Sequence, residues 1–270
     1  MPGLEVAGTI RETGRGVTGL SAGQRVAAFT RGGGLAEVAL ADAALVAPLP
    51  GEVPMPAAAA VPLMLSAAQL LLQDVARFRP GEQVLMHSAS GGVGSAVAQV
   101  VAALGGGLRI GTVGRPDKIS DAQRSGWDVT LVRDGGLAHA IREAAGGGVD
   151  VILDPSGTSL LEVDLEVAAP GGRIVLFGNP GGGQPAALPG LSRLITGNVA
   201  IAGFSMSRLS VTAPAKVAAA LGRGLRLLAD RKLDLAVTEI RPLDQVPAVH
   251  QLLAEGHGSG KYVAALKVPG

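Results

Sequence analysis

Residues 84 to 99 read Val84-Leu85-Met86-His87-Ser88-Ala89-Ser90-Gly91-Gly92-Val93-Gly94-Ser95-Ala96-Val97-Ala98-Gln99. An apolar run suited to a strand passes through a turn of small residues into a helical stretch. A helix that begins this way presents bare N–H groups and the positive end of its dipole to an anion. Gly91 and Gly92 are expected to let the chain turn tightly and approach a pyrophosphate, and Gly94 to let the helix lie close to the strand. Ser90 and Val93 complete the cradle. Strand, turn and helix in that order are the context in which a dinucleotide fingerprint carries weight. The alternative is a tight strand–helix connection that binds nothing.

The residues downstream bear on which dinucleotide fits. Sites selecting an unphosphorylated ribose place an acid at the tip of the second strand, about 20 residues past the glycines. Here that tip reads Thr112-Val113-Gly114-Arg115 and carries no acid. Arg115 and Lys118 stand where a 2′-phosphate needs cations, and the Arg fork suits phosphate. NADPH is therefore favoured over NADH. Asp117 reads as the cap of a helix starting near Lys118. Ligands of parallel sheets bind at the carboxyl ends of the strands. Ser156 and Gly157, Phe177 and Gly178, and Phe204 follow such ends and are expected to line the cofactor. The residues provide no convincing acid–base dyad. His87 is expected to be packed or capping, and His139, His250 and His257 to lie on the surface or in loops. The catalytic residues stay unassigned.

Strands and helices alternate around these positions. Strands are expected at 83–87, 109–113, 129–132, 150–153, 173–177 and 199–204, and helices at 93–104, 118–125, 137–145 and near 159–168. Short β-branched strands alternating with helices mean a doubly wound parallel sheet over 66–209. Residues 1–50 read as short strands at 5–11, 25–29 and 37–40. Pro48, Pro50, Pro54, Pro56 and Pro62 then forbid one continuous helix. Helical spacing returns from Ser66 to Phe78. A long helix over 214–230, a strand at 235–241, a helix at 246–254 and a final strand around 262–268 close the chain. Trp127, the only Trp, is expected to fill a gap beside the sheet.

Composition sets the outer bounds. The chain has 270 residues, 47% of them apolar and 17% charged, with net charge +1. That is enough for a sizeable core in two domains or one large one and argues against disorder. The mixed charges suggest neither a nucleic-acid nor a membrane surface. No cysteine is present, so neither a disulfide nor a thiolate zinc site can form. No uncharged apolar run of the roughly 18 residues that a membrane span needs appears. With no leader-like N-terminus, a cytoplasmic placement is expected.

With these residues in hand, the chain resembles the medium-chain dehydrogenase/reductase superfamily, in its zinc-free quinone oxidoreductase branch. The resemblance rests on Pro2-Gly3-Leu4-Glu5-Val6-Ala7-Gly8, Gly23-Gln24-Arg25-Val26, Gly34-Leu35-Ala36-Glu37-Val38, Leu65-Ser66-Ala67-Ala68, the Ala89–Gly94 loop and Ser259-Gly260-Lys261-Tyr262-Val263. It implies a Rossmann domain over 66–209 and a GroES-like β-rich domain over 1–65 and 210–270. It also implies hydride transfer from a nicotinamide to a quinone or enone-type acceptor, and Ser66 and Lys261 among the cofactor-binding residues. Ser66 reads equally well as a plain N-cap. The cysteines and histidines that hold zinc in the alcohol-dehydrogenase branch have no counterpart here. The chain starts about 60 residues into the family's motif order, so a truncated GroES-like domain is expected. An apolar edge strand at 199–204 needs cover, which the family supplies by homodimerisation.

Three functions fit these features. The first is an NADPH-dependent, zinc-independent reductase of a small-molecule quinone, enone or enoyl acceptor. A nucleotide-binding but catalytically silent or partner-completed protein is the second. The third is a biosynthetic tailoring enzyme acting on a bulky substrate.

Overall fold

The computed structural model describes the whole chain except residues 1, 52, 180, 181, 183, 242 and 267–270. The last part of the strand expected around 262–268 lies outside the described residues. The chain divides into two compact units, Met1–Ala67 with Met206–Gly270, and Ala68–Ser205.

The first unit opens with an antiparallel sheet of β1 (Glu5–Thr9), β2 (Arg25–Phe29) and β3 (Val46–Pro48). The strand expected at 37–40 does not form, and Val46–Pro48 takes the place beside β2 instead. Val38 and Leu40 are exposed, so no apolar face holds residues 37–40 against a sheet; the loop ahead of them is anchored at Gly34. A Cβ there would lie 2.9 Å from the Val6 side chain and 3.1 Å from the Glu5 and Gly3 carbonyl oxygens, so this loop packs flat on β1. Gly3 has φ +85°, and its carbonyl accepts from Gly34 N–H at 2.8 Å. Any side chain at Gly3 would meet the Leu35 backbone.

Helix α1 (Met55–Ala59), a π-helical turn at Val61–Leu65 and α2 (Ser66–Gln69) follow. Pro56 and Pro62 are the second residues of their segments, within the first turn, where the missing N–H has no intrahelical partner to lose. The helical path therefore begins at Met55, upstream of Ser66, where the sequence spacing suggested. Ser66 is inside it and caps nothing: its Oγ donates to the Val61 carbonyl at 2.9 Å.

The second unit carries β4 (Val84–His87), α3 (Gly92–Ala103), β5 (Arg109–Val113), α4 (Ile119–Arg124), β6 (Val129–Val132), α5 (Leu137–Ala145), β7 (Val149–Asp154), α6 (Leu161–Val167), β8 (Ala168–Leu176), α7 (Leu191–Gly197) and β9 (Ala200–Gly203). The six strands pair in parallel in the order β6-β5-β4-β7-β8-β9. The order reverses between β4 and β7, which is where doubly wound sheets open a crevice at their carboxyl edge. Leu85, Ile110, Ile141, Val149, Ile152, Val167 and Ile174 have no exposed surface and form the core. Burying each such side chain contributes roughly 1.5–3 kcal/mol. The alternating α/β arrangement read from the sequence is the one found.

The chain then returns to the first unit with α8 (Met206–Thr212), α9 (Pro214–Ala229), β10 (Val237–Ile240), α10 (Val246–Ala254) and β11 (Lys261–Ala264), the last strand pairing in parallel with β10. Among the described residues, no helix is long and apolar enough to cross a membrane.

Candidate dinucleotide site

The residues singled out in the second unit each follow the carboxyl end of a parallel strand. Ser88 to Gly94 follow β4, Gly114 and Arg115 follow β5, Ser156 and Gly157 follow β7, Phe177 and Gly178 follow β8, and Phe204 follows β9. Backbone bonds stitch these ends together. Ala89 N–H donates to Thr112 O at 2.9 Å, Phe177 N–H to Asp154 O at 2.8 Å, and Phe204 N–H to Leu176 O at 3.0 Å. Gly157 and Gly178 approach their neighbours closely. A Cβ on Gly157 would stand 3.1 Å from Asn179 Oδ1, and one on Gly178 3.2 Å from Pro155 O. The structure thus brings these positions to one edge, on both sides of the strand-order reversal.

The turn into α3 achieves its sharpness differently from the expectation. Gly91, at φ −76° and ψ 171°, occupies ordinary extended backbone, and Gly92 is not left-handed either. The left-handed residue is Ser88, at φ 59°, whose carbonyl accepts from Gly91 N–H at 3.1 Å. Gly91 offers no side-chain cap, so the first-turn N–H groups remain directed away from the helix, as anion binding requires. Gly94 performs the role expected of it. A Cβ there would meet Ala89 O at 2.6 Å and Ser88 O at 2.7 Å, so helix and turn touch only because that side chain is absent. The residues therefore fit a pyrophosphate: uncapped N–H groups on a turn whose Gly91, Gly92 and Gly94 carry no side chain.

Trp127 buttresses the same turn. Its ring is 3% exposed, its Nε1–H donates to Ala89 O at 3.2 Å, and it lies against Gly111 of β5, where a Cβ would be 3.0 Å from the ring and 2.6 Å from Ala89 Cβ. It fills a space beside the sheet, as expected, and also fixes the cradle.

The two cations proposed from the sequence are compensated. Arg115 Nε lies 3.0 Å from Asp117 Oδ1, and hydrogen bonding by Arg115 holds the Asp117 carboxyl below its ordinary value. Asp117 itself sits within a short 3-10 turn, Pro116–Lys118, and caps no helix. Lys118 is largely buried, with Nζ 3.8 Å from Asp121 Oδ2. In the first unit, Lys261 pairs with Glu5, whose Oε2 also accepts from Leu63 N–H at 2.7 Å. Ser66 is spent on Val61. The bonds of Ser66 and Lys261 thus run within the first unit.

A group that spacing did not suggest lies beneath the edge. His87 is fully buried at the end of β4, with Nδ1 2.8 Å from Thr112 Oγ1 and Nε2 2.8 Å from Asp164 Oδ1. It is packed, as expected, but in a charged company. Asp154, at the end of β7, is buried beside Asp164, and its Oδ1 accepts from Ser156 N–H at 2.7 Å. Neither Asp154 Oδ2 nor Asp164 Oδ2 finds a donor among the described residues. Burial pushes the Asp164 carboxyl up to about 6, the His87 bond and charge opposing and Asp154 adding. Below about pH 6 a proton on Asp164 supplies the missing donor between the two carboxyls.

Comparison with known proteins agrees with this architecture. The alcohol dehydrogenase GroES-like domain family matches residues 1–51, and the zinc-binding dehydrogenase family matches residues 92–222. Among the described residues no group of three His, Cys, Asp or Glu is placed to hold a metal ion. The spectinabilin polyketide synthase system protein NorB of Streptomyces orinoci is 33% identical over 273 residues, covering 98% of this chain. The chain spans only 12% of that protein's length. The rat quinone oxidoreductase is 37% identical over 181 residues, 66% of this chain and 54% of that protein. The quinone oxidoreductase of Thermus thermophilus, solved alone and in complex with NADPH, superposes with a TM-score of 0.79 at 32% identity, covering 98% of this chain and 81% of that one. The chain belongs to the medium-chain dehydrogenase/reductase superfamily, with the quinone oxidoreductases as its relatives.

Proposed function

We propose that the protein is an NADPH-dependent, zinc-independent reductase of a quinone, enone or enoyl-type acceptor. The observation that carries this reading is the cradle at the strand-order reversal, where Gly91 leaves α3 uncapped and Gly94 leaves no side chain between turn and helix. The NADPH complex of the Thermus relative supports the choice of cofactor. Ser90, Gly92, Val93 and Gly94 would hold the pyrophosphate through N–H groups, with Gly91, whose N–H is bonded to Ser88 O, shaping the turn. Gly114, Arg115 and Lys118 would lie toward the adenosine ribose, with Ser156, Gly157, Phe177, Gly178 and Phe204 along the remaining edge. NADPH, when bound, supplies the hydride, and the chain contributes position, polarity and exclusion of water. The same reading keeps the protein in the cytoplasm.

The test is oxidation of NADPH in the presence, separately, of a small quinone, a small enone and an enoyl thioester. Turnover of any one supports the proposal. Saturable NADPH binding without turnover of any acceptor favours a silent nucleotide-binding protein. Similarity to a polyketide synthase system protein across 98% of the chain favours a second acceptor class, a bulky thioester-borne biosynthetic intermediate. Turnover confined to such an acceptor would select it.

The protein is further proposed to form a homodimer through β9. That strand is the edge of the six-stranded sheet, and the preceding helix exposes Leu191 (71%) and Ile195 (63%). Edge strands are commonly protected by charge, so Ala200→Lys is expected to convert a dimer into a monomer in sedimentation velocity. A wild-type monomer would contradict the proposal.

A further inference from the structure

Arg133 follows directly on β6, and its N–H donates to Val113 O at 2.9 Å, which holds it beside the tip of β5. Its side chain reaches back over two neighbouring strand ends. Nη1 lies 3.4 Å from Ser88 Oγ in the cradle turn. Nη2 occupies the space over Gly114, where a Cβ would stand only 2.8 Å from it. Gly114 is the tip of the second strand of this sheet, the position from which an Asp or Glu reads the ribose 2′-hydroxyl in NAD sites. The guanidinium therefore fills the volume that such an acid would use.

Its electrostatic situation differs from that of the other cations nearby. Arg115 has Asp117, and Lys118 has Asp121. Arg133 bonds a neutral hydroxyl, and among the described residues no carboxylate lies within ion-pair distance of it. Partial burial makes its charge costly, lowering its pKa, while Asp154 favours the charge from a longer distance. A partly desolvated guanidinium without an ion-pair partner, open at an exposed strand tip, is suited to a dianionic ligand group.

We infer that Arg133 is the residue that selects a 2′-phosphorylated dinucleotide, its guanidinium replacing over Gly114 the acid of an NAD site. This rests on the dinucleotide reading proposed above and moves the phosphate-reading role from Arg115 and Lys118 to Arg133.

The experiment is a calorimetric titration of the full chain with adenosine 2′,5′-bisphosphate and with 5′-AMP, which differ only in the 2′-phosphate. NADPH and NADH are titrated in parallel. Arg133→Met is expected to weaken the bisphosphate about 10- to 100-fold, the loss of one charge-assisted contact. It should leave 5′-AMP nearly unchanged. Gly114→Asp, at an exposed position without positive φ, supplies a carboxylate to pair with Arg133 and should lower the same preference; thermal melts of both variants verify folding. An unchanged preference in folded Arg133→Met, or its loss in Arg115→Ala alone, overturns the assignment. If the wild type binds neither NADPH nor NADH, the dinucleotide reading falls and the assignment with it. Failure of the assignment alone is distinguished by wild-type NADPH binding that Arg133→Met does not change.

Discussion

Replacing Gly94 by alanine is expected to abolish NADPH binding and to lower the melting temperature by several degrees. Two opposing effects decide the stability change. Alanine is the better helix former by about 1 kcal/mol. Against this, its Cβ would lie 2.6 Å from Ala89 O and 2.7 Å from Ser88 O. Both atoms are backbone, so no side chain can swing away to make room. Overpacking of this kind costs about 1–3 kcal/mol, and here the relief must come from moving the turn itself. That turn already holds Ser88 at φ 59° and is braced by Trp127, so it has little freedom to yield. Displacement of the turn takes with it the N–H groups that would face the pyrophosphate. The expected readout is a melt in which NADPH gives no stabilisation, although the variant still unfolds cooperatively. Retained NADPH stabilisation in Gly94→Ala would remove the cradle from the account.

The second large effect belongs to the buried His87–Asp164 pair. His87→Ala is expected to destabilise the protein by about 3–5 kcal/mol, because it leaves a buried carboxyl without its partner. Asp164→Asn keeps an oxygen acceptor for His87 and should cost less. The same pair predicts a pH signature. Asp164 titrates at about 6 in the fold against 3.8 as its ordinary value, so the folded state holds a proton that the unfolded chain has released between those pH values. Stability from this group is therefore complete below about pH 4 and is lost as pH rises through about 6. Melts at pH 4 to 7 should show the advantage of the wild type over Asp164→Asn shrinking as pH rises. An advantage that grows with pH would mean that Asp164 is a carboxylate throughout.

Much of the fold was legible because the strands of the second unit are short apolar runs, those at its centre, β4 and β7, almost wholly buried, and the helices between them keep a regular apolar face. Arg109–Val113, Val129–Val132 and Leu137–Ala145 fall at the residues where the pattern places them. Pattern failed where another constraint dominated. The prolines at 56 and 62 looked like helix breakers but occupy first-turn positions, so the helical path begins at Met55. Glu37–Leu40 alternates like a strand, yet its Val38 and Leu40 stay exposed and Val46–Pro48 takes the place beside β2. Helix α7 went unread because a Gly- and Pro-rich stretch precedes it.

The site was legible as a local motif and illegible as a network. Gly94 announced its role through its place between strand and helix. The tight turn is expected at Gly91 and Gly92, and nothing in the sequence singles out Ser88 for the positive φ it adopts. His87 and Asp164 are 77 positions apart and meet only through the sheet order. Arg133 reaches Gly114 across a strand pair, a contact that the register of β5 and β6 creates.

The most direct measurement is a calorimetric titration of the purified protein with NADPH and, separately, with NADH. The expected result is a single saturable site for NADPH and at least about tenfold weaker binding of NADH, the worth of one charge-assisted contact to the 2′-phosphate. Absence of binding by either dinucleotide would contradict the cradle, and with it the reductase.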